Sequence, residues 1–409
     1  MDKKVAASMV MIISLILGGK TSPQDLQGNA LQPLGEALFE LPEGGGIYIP
    51  STPDTIQWGS LPNRNTEPLL TVASGAVVTF DTVSHEGILE DQGRNPLMYF
   101  AQHGVSSDQV LRDAVMIAAS ALAHDFDGDG PHIVTGPVAI EGAQPGDVLK
   151  IETLNLAPRV PYGVISSRHG KGALPGEFPE NDAPQSDSSS NYPELYNNVS
   201  IFTEIEEADG VHYAILHNRR GEAVRFAIDP FMGIMGVAPD TQNKVNSIPP
   251  NTYGGNLDIN ELGVGSTLYL PVQIPGALFY VGDPHYAQGD GEVALTALEA
   301  PLRATFRLTL LPAGDASIPG GSPFTQPFAE SADYWIPIGL DVDLDEAMKQ
   351  AVREAVNFLS VSVGIERSVA YAYLSAATDF EISQVVDRTK GVHGLIRKED
   401  FSDTTFQIK

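Results

Sequence analysis

Short runs of β-favouring residues, each broken by glycine or proline, recur from "TVASGAVVTFDTVS" into the last third of this chain. In "ATFRLTLL" the pattern is clearest: Phe306, Leu308 and Leu310 alternate with Thr305, Arg307 and Thr309. A period of two buries one face of a strand and wets the other. "STLYLPVQI", "ALFYVGD" and "EVALTALEA" are further strand candidates. "GPVAIEGAQPGDVLKIETLNL" reads as two strands joined at "AQPGD", where Pro145 and Gly146 fit a tight reversal. The 40 glycines and 30 prolines have no period, so they punctuate a loop-rich globular chain and do not build a collagen-like one.

Helices interrupt this habit. "SSDQVLRDAVMIAASALAHD" predicts an amphipathic helix with Ser106 or Ser107 as N-cap, Asp108 near its positive end, and Val110, Ala114, Ile117 and Ala121 on one face. Near the end, "DLDEAMKQAVREAVNFLS" carries an apolar stripe at Met348, Val352, Val356 and Leu359, and "IERSVAYAYLSAAT" reads as a second helix. The expectation is an α+β, β-dominated fold, with β-sandwich or barrel-like sheets and a smaller C-terminal α+β portion.

At 409 residues the chain has room for two or three domains. "MDKK" followed by "VAASMVMIISLIL" and "GGKTS" has the basic, apolar and small-residue order of a signal peptide over 1–20, which predicts export to the periplasm or exterior. An uncleaved anchor and a buried helix are the competing readings. Residues 21–45 read as a linker. Residues 46–245 read as an N-terminal β-rich domain with an inserted helix and a polar surface insertion at 165–200. Residues 246–409 read as a C-terminal α+β domain holding the active-site motifs. No later segment is long and apolar enough to span a bilayer, so no membrane partner is expected once the signal is removed.

Subtracting 52 acidic from 24 basic side chains gives a net charge of −28, which repels phosphate backbones and argues against nucleic acid as a partner. Cysteine is absent, which removes disulfides, thiolate nucleophiles and cysteine-based zinc sites together. No G-x-S-x-G elbow, phosphate-cradling G-x-x-x-x-G-K or H-E-x-x-H helix occurs.

What remains is a density of acids and imidazoles. "VGDPHYAQGDGEV" puts Asp283, His285, Asp290 and Glu292 within one short stretch. If its two ends form a hairpin, His285 and Glu292 flank a loop over 286–291, and Asp283 shares the His285 face of the strand. Carboxylates and imidazole at one sheet edge can hold a divalent metal. Turn chemistry alone also accounts for "GDG". "YGGNLDINELG" adds Asn256 and Asp258, and "TVSHEGILEDQG" adds His85 and Glu86. "HDFDGDGPH" has the opening spacing of a calcium loop at Asp125, Asp127 and Asp129, but Gly136 stands where that loop needs Glu.

These segments together resemble the acetamidase/formamidase family. "VTGPVAIEGAQPGDVLKIETLNL", "FMGIMGVAP", "GGNLDINELGVGSTLYLPVQIPGALFYVGDPHYAQGDGEVALTALE" and "AYAYLSAATDFEISQVVD" run in family order from about residue 70 to residue 390. The resemblance implies a β-rich hydrolase of short-chain carboxamides, a bound divalent metal such as zinc, and a homodimer or larger homo-oligomer. The family's polar positions fall on Asn256, Asp258, Asp283, His285, Gln288, Asp290 and Glu292. Side-chain chemistry then predicts Asp258, His285 and Glu292, with His85, as metal ligands. Asp290 and Asp283 are the candidate proton carriers, with Asn256 beside them, and Gln288 and Tyr286 are the candidate substrate contacts. The export signal and the expanded 165–200 segment depart from the family pattern and leave the substrate open. The alternatives are a larger or cyclic amide, or an exported ligand- or calcium-binding protein on an inactivated amidase scaffold.

Overall fold

The computed structural model describes Gln32, Phe39–Glu40 and residues 46–402. The signal at 1–20 and most of the linker at 21–45 lie outside the described residues. Two large sheets dominate. One has ten strands and centres on Ala76–Asp81, Leu302–Leu311, Val148–Pro158 and Thr267–Pro271, neighbours in that order. The other has eleven, and its middle runs Tyr162–Ser167, Leu298–Glu299, Phe279–Ala287, Phe231–Val237, Gly254–Asn256.

The sheets are fastened through their apolar faces. Phe80 and Phe306 of the first meet Phe279 of the second, each with ring centroids 5.8 Å from it, and all three rings are fully buried. Alternation explains this directly: in Leu302–Leu311 the even positions Leu302, Ala304, Phe306 and Leu308 are buried while Arg307 faces out. The "AQPGD" reversal carries the chain from Ile133–Ile140 in one sheet to Val148–Pro158 in the other. Both sheets also draw strands from either side of residue 245, so the two halves separated there by sequence are interleaved in space.

The helices differ from expectation in detail. The helix expected from Ser106 starts later, as α2 at Arg112–Ala118 after α1 at Pro96–Ala101. Residues 106–109 close a turn of their own through Gln109 N–H donating to the Ser106 carbonyl. Ala121 is exposed beyond the helix end.

At the C-terminus, α3 (Leu344–Phe358) is capped by Asp343, which accepts from the Asp345 and Glu346 amides. Its buried face is Ala347, Ala351 and Ala355 with Val356 and Phe358, whereas Met348 is 39% exposed. Small residues win because α3 lies against Gly339, where any Cβ would collide with the Ala347 carbonyl. α4 (Arg367–Ala377) follows. No helix among the described residues is long and apolar enough to cross a membrane.

Candidate active site

The strand Phe279–Ala287 lies in the middle of the eleven-stranded sheet, and its neighbours determine what surrounds His285. On one side Phe231 of "FMGIMGV" pairs with His285, and the register brings Gly233 opposite Asp283. A Cβ on Gly233 would lie 2.5 Å from Asp258 Oδ1, 2.7 Å from His285 Cε1 and 2.9 Å from Asp283 Oδ2. Three functional groups therefore converge over the one residue with no side chain.

On the other side the pairing differs from the expected hairpin. His285 is paired with Glu299, not set beside Glu292, because "EVALTALEA" is mostly loop and only Leu298–Glu299 joins the sheet. His285 Nε2 is 3.0 Å from Glu299 Oε1 and 3.2 Å from Asp283 Oδ2, and its Nδ1 is 3.9 Å from Asp258 Oδ1. Glu292 reaches the same place from the loop, within ligand distance of Asp258 and His285. His85 and His132 complete the group from the far side of Asp283: His85 Nδ1 lies 3.6 Å from Oδ1, and His132 Nε2 lies 3.6 Å from Oδ2.

Backbone geometry aims these acids. Asp258, Asp283 and Glu292 all adopt the left-handed conformation, with φ of 51°, 52° and 46°. Side-chain-bearing residues seldom take it, and such strain persists where surrounding contacts enforce it. For Asp258 the contacts are its own amide and that of Leu257, both donating to the Gly233 carbonyl, and the Gln288 side chain donating to the Asp258 carbonyl at 3.0 Å.

The electrostatics are those of a crowded, dry cluster. Asp258, Asp283, His285, Glu292 and Glu299 are at most 6% exposed. Burial, reinforced by Glu292 and Asp387, raises the Asp258 carboxyl well above its ordinary range. Burial and Asp387 do the same to Glu292. Asp387 itself is pushed up to about 7, first by burial. For Asp283 burial is outweighed by His132 and His285, which hold it well below the usual range. Burial lowers His132 to about 4, while His85 is carried to about 10 because Glu299, Asp283 and Glu86 overcome its burial.

Many ligand atoms in this cluster make no aligned hydrogen bond, even where an acid and an imidazole lie close: both nitrogens of His85 and His285, both Asp258 oxygens, Asp283 Oδ1, Glu299 Oε2 and Asn256 Oδ1. Buried polar atoms are nearly always satisfied, so a concentration of orphaned ligand atoms fits a cation between them. The donor set of imidazoles and carboxylates suits a first-row divalent ion.

A cavity of about 350 Å³ opens onto this cluster, with His85, His132, Asn256, Asp283, Glu292 and Glu299 in its wall. Asp387 and Arg168 also line it. Arg168 is buried and holds Glu86 (NH2 to Oε1, 2.9 Å) and Asp91 (Nε to Oδ2, 2.7 Å), and Glu86 Oε1 is 3.2 Å from His85 Nε2.

Of the residues expected from sequence, Asp258, Asp283, His285, Glu292, His85 and Asn256 are thus brought together. Others are not. Tyr286, expected to touch substrate, points the opposite way from His285 into the core, where its hydroxyl donates to the Val160 carbonyl at 2.7 Å and accepts from the Arg159 amide. Strand alternation makes this unavoidable for neighbours on one strand. Gln288 and Asp290 lie outside the cavity; Asp290 is exposed, near Asn260, and Gln288 braces the Asp258 and Ser383 carbonyls. Asp125 and Asp129 close a turn by accepting from the Asp127 and Asp125 amides; Asp129 also lines the cavity, where it is paired with Lys244.

Sequence reading missed Glu299, His132, Asp387 and Arg168. His132 ends "HDFDGDGPH", where the acid spacing is the stronger local signal. Nothing local marks Glu299 or Asp387.

Buried acids and imidazoles at the floor of a cavity are equipment a hydrolase can use. The acetamidase/formamidase family profile matches residues 123–244 and 240–396, well over half the chain, and the chain belongs to that family. It is an amidase. The formamidase of Methylophilus methylotrophus is 26% identical over 312 residues, 64% of this chain and 75% of that protein. The acetamidase of Mycolicibacterium smegmatis is 26% identical over 199 residues, 40% and 49% of the two chains. The fold matches crystal structures of acetamidases from Bacillus halodurans (TM-score 0.64, 22% identity, 88% of this chain and 99% of that one) and Yersinia enterocolitica (TM-score 0.64, 23% identity, 89% and 96%).

Proposed function

We propose that this amidase hydrolyses the C–N bond of carboxamides to carboxylate and ammonia at a divalent cation held by Asp258, His285, Glu292 and Glu299, with Asp283 shared towards His85 and His132. The observation that carries this reading is the convergence of unpartnered ligand atoms over Gly233. When bound, the cation supplies Lewis acidity to the amide carbonyl and lowers the pKa of water towards neutrality.

The chain's own residues supply the rest. Asp387 lines the cavity and its carboxyl is raised first by burial, so it is placed to accept a proton from water and return it to the departing nitrogen. Asn256 presents an unpartnered Oδ1 at the cavity wall and can accept from the substrate N–H, orienting the amide. Glu86, clamped by Arg168, fixes the His85 ring; such partners of a ligand commonly matter as much as the ligand. Leu89 and Leu295 add apolar wall beside these polar groups.

The test is elemental analysis of the purified protein beside ammonia release from formamide, acetamide and longer amides. Chelated protein should lose turnover and regain it with zinc or another divalent ion. Full turnover by metal-free protein, or by Asp258→Asn protein, overturns the reading.

A further inference from the structure

The same cavity has a second chemical character at its mouth. Lys171 and Arg388 line it, and among the described residues neither has a carboxylate within salt-bridge distance. Arg168, deeper in the wall, is by contrast saturated by Glu86 and Asp91. Burial and then Arg168 lower the Lys171 ammonium pKa, Arg388 lowers it further, and Asp91 and Asp127 only partly offset them, so these three cations feel one another. In a chain of 24 basic against 52 acidic side chains, two cations outside any salt bridge at one cavity mouth run against the composition, although Lys171 also lies over the Phe126 ring.

Both cations are carried on fixed supports. Lys171 belongs to the 165–200 insertion, which is tied down where the Ala173 amide donates to the Val293 carbonyl at 2.9 Å and Gly172 packs on Ala294. Arg388 sits in a turn caged by Gln384, whose side chain accepts from the Val386 and Asp387 amides and donates to the Thr389 carbonyl. That turn is bonded to the Glu292 loop through Gly291, by the Gly291 amide to Ser383 and the Val385 amide to Gly291. Arg388 is held at φ of 66°, a conformation an arginine keeps only when neighbours enforce it. The cavity, about 350 Å³, is also far larger than a one- or two-carbon amide needs.

We infer that the substrate is an amide carrying an anionic group, a carboxylate or phosphate spaced from the scissile amide, which Lys171 and Arg388 receive at the mouth while the amide meets the acid–imidazole floor. This rests on the amidase reading above and names its substrate class. The reaction is unchanged: water adds across the C–N bond, and the amide nitrogen leaves as ammonia while the distal anion stays intact.

The experiment compares kcat/KM for succinamate with that for 4-oxopentanamide, a neutral amide of the same length, using metal-loaded full-length protein. Wild type should favour succinamate at least tenfold. In the Lys171→Gln/Arg388→Gln protein that preference should fall by at least tenfold, mainly through KM, and Lys171→Arg should retain it. Equal use of both amides by wild type, or an unchanged preference in the double variant, overturns the inference and leaves the amidase reading standing. Failure to hydrolyse any amide when metal-loaded overturns both.

Discussion

His285 and Glu299 face each other across adjacent antiparallel strands, with Nε2 and Oε1 3.0 Å apart and both side chains buried. The second Glu299 oxygen is left without a hydrogen-bond partner, so it is available to the proposed cation. Glu299→Gln keeps the shape and removes the charge. Metal retained after dialysis and kcat/KM for an amide should each fall, by at least the roughly 10–100-fold that follows changes beside metal ligands. Wild-type metal content with wild-type kcat/KM would remove Glu299 from the site.

Gly233→Ala tests the convergence of Asp258, His285 and Asp283. The added methyl has no rotamer to escape through, because its position lies within 2.9 Å of all three groups. Overpacking of this kind costs about 1–3 kcal/mol. The expected outcome is a lowered melting temperature together with loss of bound metal. A variant that keeps its metal would show that the site relaxes around the methyl.

Arg168 neutralises two buried carboxylates, Glu86 and Asp91. Arg168→Met leaves Asp91 with no cation and Glu86 with only His85, which costs about 3–5 kcal/mol for a buried pair broken on one side. The pH dependence has a definite sign. Burial alone would raise the Glu86 carboxyl, but Arg168, followed by His85, reverses this and holds it well below the usual range. Stability from Glu86 is therefore full above its ordinary pKa and is lost as pH falls towards the lowered one. Denaturant unfolding of wild type and Arg168→Met should differ most near neutrality and converge in acid. A constant difference down to strongly acid pH would contradict this.

Asp387 and Asp290 make a matched comparison, because only Asp387 lines the cavity. Asp387→Asn should lower kcat by about 10²–10⁴-fold, the usual worth of a general acid–base group. Asp290→Asn should stay within a few-fold of wild type. The reverse ranking would return the proton carrier to the "GDG" loop.

Phe279 joins the two sheets through Phe80 and Phe306. Phe279→Ala should cost about 3–5 kcal/mol, since the surrounding rings cannot collapse into the space. Chemical denaturation of the metal-free protein measures it, and a loss under 1 kcal/mol would mean the sheets are held elsewhere.

The sequence by itself determined the β-dominated class, the late helices and the identity of most acids and imidazoles at the site. These are local properties: alternation in "ATFRLTLL" and the density of "VGDPHYAQGDGEV" are each legible within thirteen residues. Where local reading failed, pairing decided. The register that sets Glu299, not Glu292, opposite His285, the turn that delivers Asp387, and the arrival of His132 and Arg168 all depend on strands and loops far apart in the chain. Tyr286 shows the same limit from the other side, since one step along a strand reverses the face and sent a candidate contact into the core. Residue type fixes which chemistry is available; long-range register, which no local pattern encodes, fixes which of those groups meet.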